Sequence, residues 1–370
     1  MEIAGVSILY DEGQQAIATE SRRVLDARAD KARLLGLLEQ VGEYDDIFWH
    51  TAVEQGWTAL ALPESYGGLD LSLVELGLVS QATGAATAGA PFLTGGYGAA
   101  MAILHGNDES SRADWLARLA SGEAIGCVAF GEGCSPLPPV PAVSFDGGAL
   151  HGAKPAVPGA MKADVVVVWA MLGARPALVA ADLSAARREA VSSFDNSRLY
   201  ADIVFDGTPA QLLVQGEDAA ALARDVLARM AVVTAHEQVG GAEALLYIAR
   251  DYALTRKAFG QPIGAFQSIK HRIAELYGLV EVARANCIHA AAQEGQSGFA
   301  LAAADARLSA TEAYDTAARD CIQIHGGIGV TWETGLHLHM RRARSLAIEQ
   351  GNNLFWEDWL VGELVKGEAA

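Results

Sequence analysis

The feature that most limits how this chain can fold is the stretch 218–256, which has no proline and only the Gly240-Gly241 pair as an interruption. It predicts one very long helix. Residues 266–293, 298–324 and 336–350 read as further helices. Two long and two shorter helices fit a C-terminal four-helix bundle.

Upstream, residues 16–119 read as helices joined by short Gly/Pro turns, with apolar residues at helical intervals over 73–85. The cluster Pro63-Glu64-Ser65-Tyr66-Gly67-Gly68 is a turn that no helix could run through. Between these helical zones the character changes. Val165-Val166-Val167-Val168, Ala177-Leu178-Val179 and Ile203-Val204-Phe205 are short runs, rich in β-branched residues and bounded by Gly, Pro or Asp, as strands are. Prolines crowd residues 136–141, where a loop is expected. The expected architecture is α+β: an N-terminal helical domain (1–122), a middle β domain (123–213) and the bundle (214–370), with a ligand between the layers.

A formal net charge of −18 argues against nucleic-acid binding and disfavours anionic membranes. A small polyanion is still acceptable where the few cations gather. The cysteines, Cys127, Cys134, Cys287 and Cys321, form no CxxC pair and have no histidine at zinc spacing, so they read as buried reduced thiols and no metal is expected. The first 14 residues carry no lysine or arginine, and the longest apolar stretch, 165–174, is too short to span a bilayer. The expectation is a soluble, cytoplasmic protein.

Two segments carry chemistry. RKAFGQPIGAFQ (256–267) closes one helix and opens another, placing Arg256 and Lys257 at a helix C-terminus, where cations complement the macrodipole. A charged helix end explains that placement; so does a guanidinium offered to a pyrophosphate. Gln323-Ile324-His325-Gly326-Gly327-Ile328-Gly329 is a glycine loop that ends a helix and also exposes backbone N–H groups. His325 fits either a hydrogen-bonded helix end or a contact to phosphate or flavin. Arg341, Arg342 and Arg344 fit either ion pairs or a phosphate-facing cluster.

In this order and spacing, RKAFGQPIGAFQ, QIHGGIGVTWE (323–333) and LPESYGG (62–68) resemble the hallmark segments of the acyl-CoA dehydrogenase family, and the resemblance covers most of the chain. It implies FAD between β domain and bundle. Arg256, Phe259 and Gln267 would contact FAD, and Gln323, Gly326 and Gly327 would approach its adenosine-pyrophosphate part. These contacts would reach a flavin held by a neighbouring subunit, making a dimer the minimum unit of a homo- or heterotetramer. The implied reaction removes an α-proton from an acyl-CoA thioester while a β-hydride passes to flavin, which an external electron acceptor then reoxidises. That step needs a positioned carboxylate.

Where the family carries its glutamate base, this sequence carries Gln350, whose amide takes no proton at neutral pH. Glu349 is adjacent. The alternative base position, on the first long bundle helix, falls near Met230, with Glu237 and Glu243 further along and Glu237 the more plausible substitute. The family's hydroxyl-rich flavin loop corresponds to Val128-Ala129-Phe130-Gly131-Glu132-Gly133-Cys134-Ser135, which has lost most of its hydroxyls. Trp169 reads as strand core rather than a flavin contact. Eroded base and flavin loop beside intact trans-acting segments resemble the smaller subunits of heterotetrameric acyl-CoA dehydrogenases for steroid side chains, as do Thr331-Trp332-Glu333 and Leu336-His337-Leu338-His339. Two readings stay open: a partner subunit that completes a flavin site for a catalytic homologue, and a self-sufficient homomer using Glu349 or Glu237. A CoA-binding protein without redox chemistry would leave residues 256–267 unexplained.

Overall fold

The computed structural model describes residues 10–88 and 92–368. Residues 1–9 of the leading segment read above lie outside them. Among the described residues, six helices open the fold: α1 (Glu12–Arg28), α2 (Lys31–Leu37), α3 (Asp46–Glu54), α4 (Leu73–Ala86), α5 (Phe92–His105) and α6 (Glu109–Ser121). Local sequence sets their starts. Asp11 with Gln14, and Ser72 with Glu75, form reciprocal capping boxes at α1 and α4. At the LPESYGG turn, a β-carbon on Gly68 would lie 1.9 Å from the Leu62 carbonyl oxygen, so only glycine fits.

Seven strands follow: β1 (Gly126–Ala129), β2 (Ser144–Asp146), β3 (Ala149–Val157), β4 (Val165–Leu172), β5 (Arg175–Asp182), β6 (Arg187–Ala190) and β7 (Ala201–Gln215). Pairings β4–β5, β5–β7, β7–β3, β3–β2 and β2–β4 close into a barrel, with β1 parallel to β4 and β6 against β7. The valine run of β4 is apolar throughout because both of its faces are covered. Val166, Val168 and Ala170 fill the barrel, while Val165, Val167 and Trp169 join the core shared with the helices. Trp169 is core, and its indole N–H donates to the Pro138 carbonyl at 2.8 Å, so the proline-rich loop seals the strand.

The bundle starts with α7 (Glu217–Thr255), followed by a small hairpin, β8 (Lys257–Ala258) and β9 (Gln261–Pro262), then α8 (Gln267–Ala292), α9 (Phe299–His325), α10 (Leu336–Leu346) and α11 (Asn353–Glu368). Gly240-Gly241 does not break α7. It is where α4 crosses: a β-carbon on Gly240 would lie 1.8 Å from the Gln81 carbonyl oxygen, and one on Gly84 equally close to that of Glu237.

Two sequence expectations are corrected here. The last expected helix, 336–350, stops at Leu346, because buried Arg307 takes the carbonyls of Leu346 and Glu349 and Gln350 adopts a left-handed φ of 55°. A further helix, α11, follows, anchored by buried Trp356 and Trp359, so the bundle has three long helices and two shorter ones among the described residues. The cysteine reading also needs amending. Cys127, Cys287 and Cys321 are buried free thiols, but Cys134 is exposed, carried outward by the turn at Gly133 (φ 57°). Among the described residues no helix is long and apolar enough to cross a membrane.

Three outcomes follow for stability. Gly240→Ala should cost about 1–3 kcal/mol by forcing α4 and α7 apart, although alanine favours helix. Gly96→Ala in α5 should instead stabilise by up to about 1 kcal/mol, since its β-carbon meets nothing within 4 Å. Denaturant unfolding of both variants checks the opposite signs. Burial pushes the pKa of His236 from 6.5 down to about 4, against a weaker opposing pull from the Cys287 backbone. The folded state therefore holds it neutral, a contribution complete above pH 6.5 and lost as the pH falls toward 4. Unfolding free energy should decline across that window, and His236→Leu should flatten the decline.

Candidate active site

A cavity of about 450 Å³ lies between α5, the barrel and α7. One wall is the Val128–Ala129 end of β1 and the loop after it. Leu227 and Met230 of α7, Tyr200, and the 348–352 turn after α10 complete it. Size and mostly apolar lining suit an organic ligand.

The loop is braced from below. Lys154 of β3 is wholly buried and donates to the Phe130 carbonyl at 3.1 Å and to Glu132 at 2.5 Å, while the Ala142 N–H donates to the other Glu132 oxygen at 2.8 Å. Burial pushes the Lys154 pKa down to about 8 against the opposing pull of Glu132. Nothing in the local sequence around Lys154 announces this role.

Met230 and Gln350 both face the cavity, and neither is acidic. Met230 lines it from α7, and Gln350 from the turn, with its side-chain carbonyl accepting from Thr234 Oγ1 at 3.0 Å. Glu349, also at the cavity wall, is fully engaged. Arg198 meets it bidentately at 2.9 and 2.7 Å, and the Tyr200 hydroxyl donates to the same carboxylate. Glu237 accepts from Arg342 at 2.7 Å and from Arg198 at 3.3 Å, and Arg342 also holds Asp195 at 2.6 Å. Every member of this chain is buried. Burial raises the Asp195 carboxyl, but Arg342, Ser197 and Arg198 together outweigh it and hold the group below the ordinary range. Glu243 is likewise buried and taken up by Arg284 at 2.6 Å and by Arg22.

The sequence singled out Glu349 and Glu237, but not Arg198, Tyr200 or Arg307, which engage them from other elements, nor Asp195, which shares Arg342 with Glu237. The arginine cluster resolves into ion pairs. Arg342 is in the buried chain, Arg344 meets Asp315 at 2.5 Å, and Arg341 meets Glu39 at 3.5 Å.

The other predicted positions gather at the opposite end of the bundle. Arg256 caps α7, Phe259 tips the β8–β9 hairpin, Gln267 opens α8, Gln323 lies in the last turn of α9, and Gly326 and Gly327 follow it. Met230 and Thr255 share one unbroken helix, so this end is about 38 Å from the cavity. No one dinucleotide bound in the cavity could touch both. This end presents a cation beside open backbone. Arg256 is exposed with no ion-pair partner among the described residues, and β-carbons added at Gly326 and Gly327 would meet nothing within 4 Å, leaving that backbone open. Phe259 is 95% exposed at a φ of 49°, an uncovered aromatic held in a strained backbone.

Comparison with known proteins gives this arrangement its context. Residues 11–123 match the acyl-CoA dehydrogenase N-terminal domain, and residues 220–354 the C-terminal domain. The chain is 33% identical over 318 residues to acyl-CoA dehydrogenase IpdE2 of Mycobacterium tuberculosis, covering 82% of each. Among solved structures, a variant of the Tcur3481-Tcur3483 steroid ACAD superposes with a TM-score of 0.86 at 25% identity, over 97% of this chain and 99% of that one. The ChsE4-ChsE5 complex from Mycobacterium tuberculosis shares the fold, with a TM-score of 0.87 at 22% identity over 96% and 98%. The chain belongs to the acyl-CoA dehydrogenase family of FAD-dependent oxidoreductases that dehydrogenate acyl-CoA thioesters.

Proposed function

We propose that this chain is the partner subunit of a heteromeric acyl-CoA dehydrogenase, without a base of its own, and that it completes the flavin site of a catalytic homologue. One observation carries the reading. Among the described residues, the only carboxylate lining the cavity, Glu349, is already bound by Arg198 and Tyr200, while Met230 and Gln350 occupy the base positions. A buried carboxylate in a bidentate arginine pair is a poor proton acceptor, and freeing it would leave Arg198 uncompensated at a cost of several kcal/mol. The same holds for Glu237 between two arginines.

The far end of the bundle does the work in the assembly. Bound FAD supplies the hydride acceptor. Arg256 offers a guanidinium to its pyrophosphate, Gly326 and Gly327 leave a backbone surface with no side chain in the way, and Gln267 and Gln323 offer amides at the rim. Phe259 packs into the neighbour together with Leu254, Val330 and Trp332, which are 64%, 74% and 52% exposed in the single chain. The thioester α-proton goes to a carboxylate of the homologous subunit, and an external electron acceptor reoxidises the flavin. The substrate reading is the CoA ester of a steroid side chain, supported by likeness to a steroid ACAD at 25% identity. The assembly is read as cytoplasmic.

Purified alone, the chain should be colourless or poor in flavin, and unbleached by acyl-CoA. With the homologous subunit it should hold about one flavin per pair. A yellow homomer bleached by acyl-CoA would defeat the proposal. Steroid CoA esters should turn over in the complex, and turnover of short acyl-CoAs alone would remove the steroid reading. Glu349→Gln should destabilise the fold by about 3–5 kcal/mol, and Arg198→Met combined with Glu349→Leu should recover much of the loss. If Glu349 were the base, the single change would abolish turnover with little change in the unfolding curve.

A further inference from the structure

The reading above needs Arg256 and the Gly326-Gly327 backbone to meet one ligand together, yet they stand at the ends of different helices, α7 and α9. Tyr252, one turn before Arg256, stacks on His325 with ring centroids 4.0 Å apart at 21°, and its hydroxyl reaches the His325 carbonyl at 3.5 Å. Each ring is fixed to its own motif. The Tyr252 carbonyl accepts the Arg256 N–H at 2.8 Å, and the Arg256 carbonyl in turn accepts the Ile263 N–H at 2.8 Å. His325 is held through Nδ1 at 2.7 Å from the Cys321 carbonyl, and it is the residue from which the Gly326–Val330 turn begins. The stack is thus a side-chain bridge between the arginine segment and the glycine segment.

We infer that Tyr252 and His325 are positioning residues, which set the spacing between the Arg256 guanidinium and the open Gly326-Gly327 backbone so that both reach one pyrophosphate. The inference rests on the proposed role of this bundle end. Neither ring needs to touch the ligand. Only the stacked geometry matters, so an aromatic replacement should serve and an aliphatic one should not.

The test is FAD affinity, followed by flavin fluorescence on the complex with the homologous subunit, beside thermal unfolding of the flavin-free complex. Tyr252→Leu should weaken FAD binding roughly three- to tenfold, the range expected for one aromatic pair. Tyr252→Phe and His325→Phe should stay near wild type, and flavin-free unfolding should not move. Lowered unfolding temperature with unchanged FAD affinity in Tyr252→Leu would make the stack merely structural and overturn the inference. Arg256→Ala separates the two levels. If it weakens FAD binding while Tyr252→Leu does not, only the positioning role fails. If Arg256→Ala has no effect, the assignment of this end to the flavin fails as well. Should Tyr252→Leu not assemble, His325→Leu against His325→Phe gives the same comparison from the other ring.

Discussion

The buried chain of ions running Asp195–Arg342–Glu237–Arg198–Glu349 is what the rest of the structure hangs on. It gathers α7, α10 and the connection between β6 and β7. Through Arg342 it also reaches the carbonyls of Thr87 and Ala88 at the end of α4. Helical layer, barrel and bundle therefore meet on one set of charges. Three carboxylates face two guanidiniums, and Arg307, committed to backbone carbonyls beside them, brings the balance to neutrality. Removing such groups from water is expensive, and only near-complete pairing offsets it. The network contributes less net stability than definition. It admits one way of docking the three parts and leaves the cavity wall little freedom.

The absence of a free carboxylate from the cavity lining, among the described residues, has a simple physical form. The 348–352 turn carries both the residue that faces the cavity and the one that faces the ions. Gln350 looks outward from a left-handed backbone, Glu349 looks inward, and Arg307 holds the turn by its carbonyls. Exchanging the two side chains' duties would mean remaking the turn and stranding a guanidinium.

The layout of helices and strands was legible because its signals are local. Proline-free stretches and glycine-bounded runs of β-branched residues act within a few positions, and each of the hallmark segments is continuous in the sequence. What stayed hidden was non-local. Asp195 and Arg198 lie about a hundred and fifty positions from Arg342 and Glu349, and no periodicity links them. Barrel closure likewise depends on pairings that no single strand declares. Gly240-Gly241 looked like an interruption because its purpose is visible only from α4. The early end of α10 was missed for the same reason, as its stop signal is Arg307 on α9. Helix α11 is apolar on opposite sides, with Trp356 and Trp359 turned in and Val361 and Val365 turned out, so it lacks the one-sided pattern that marks a surface helix.

The unbroken length of α7 has a consequence of another kind. Its two ends are too far apart to answer for the same ligand, so a defect at one does not reach the other. After duplication of such a chain, one copy is free to lose the chemistry of its own cavity and still be kept for what it lends at the opposite tip. A single rigid rod, by separating self-service from service to a neighbour, makes division of labour between copies an easy path for this fold.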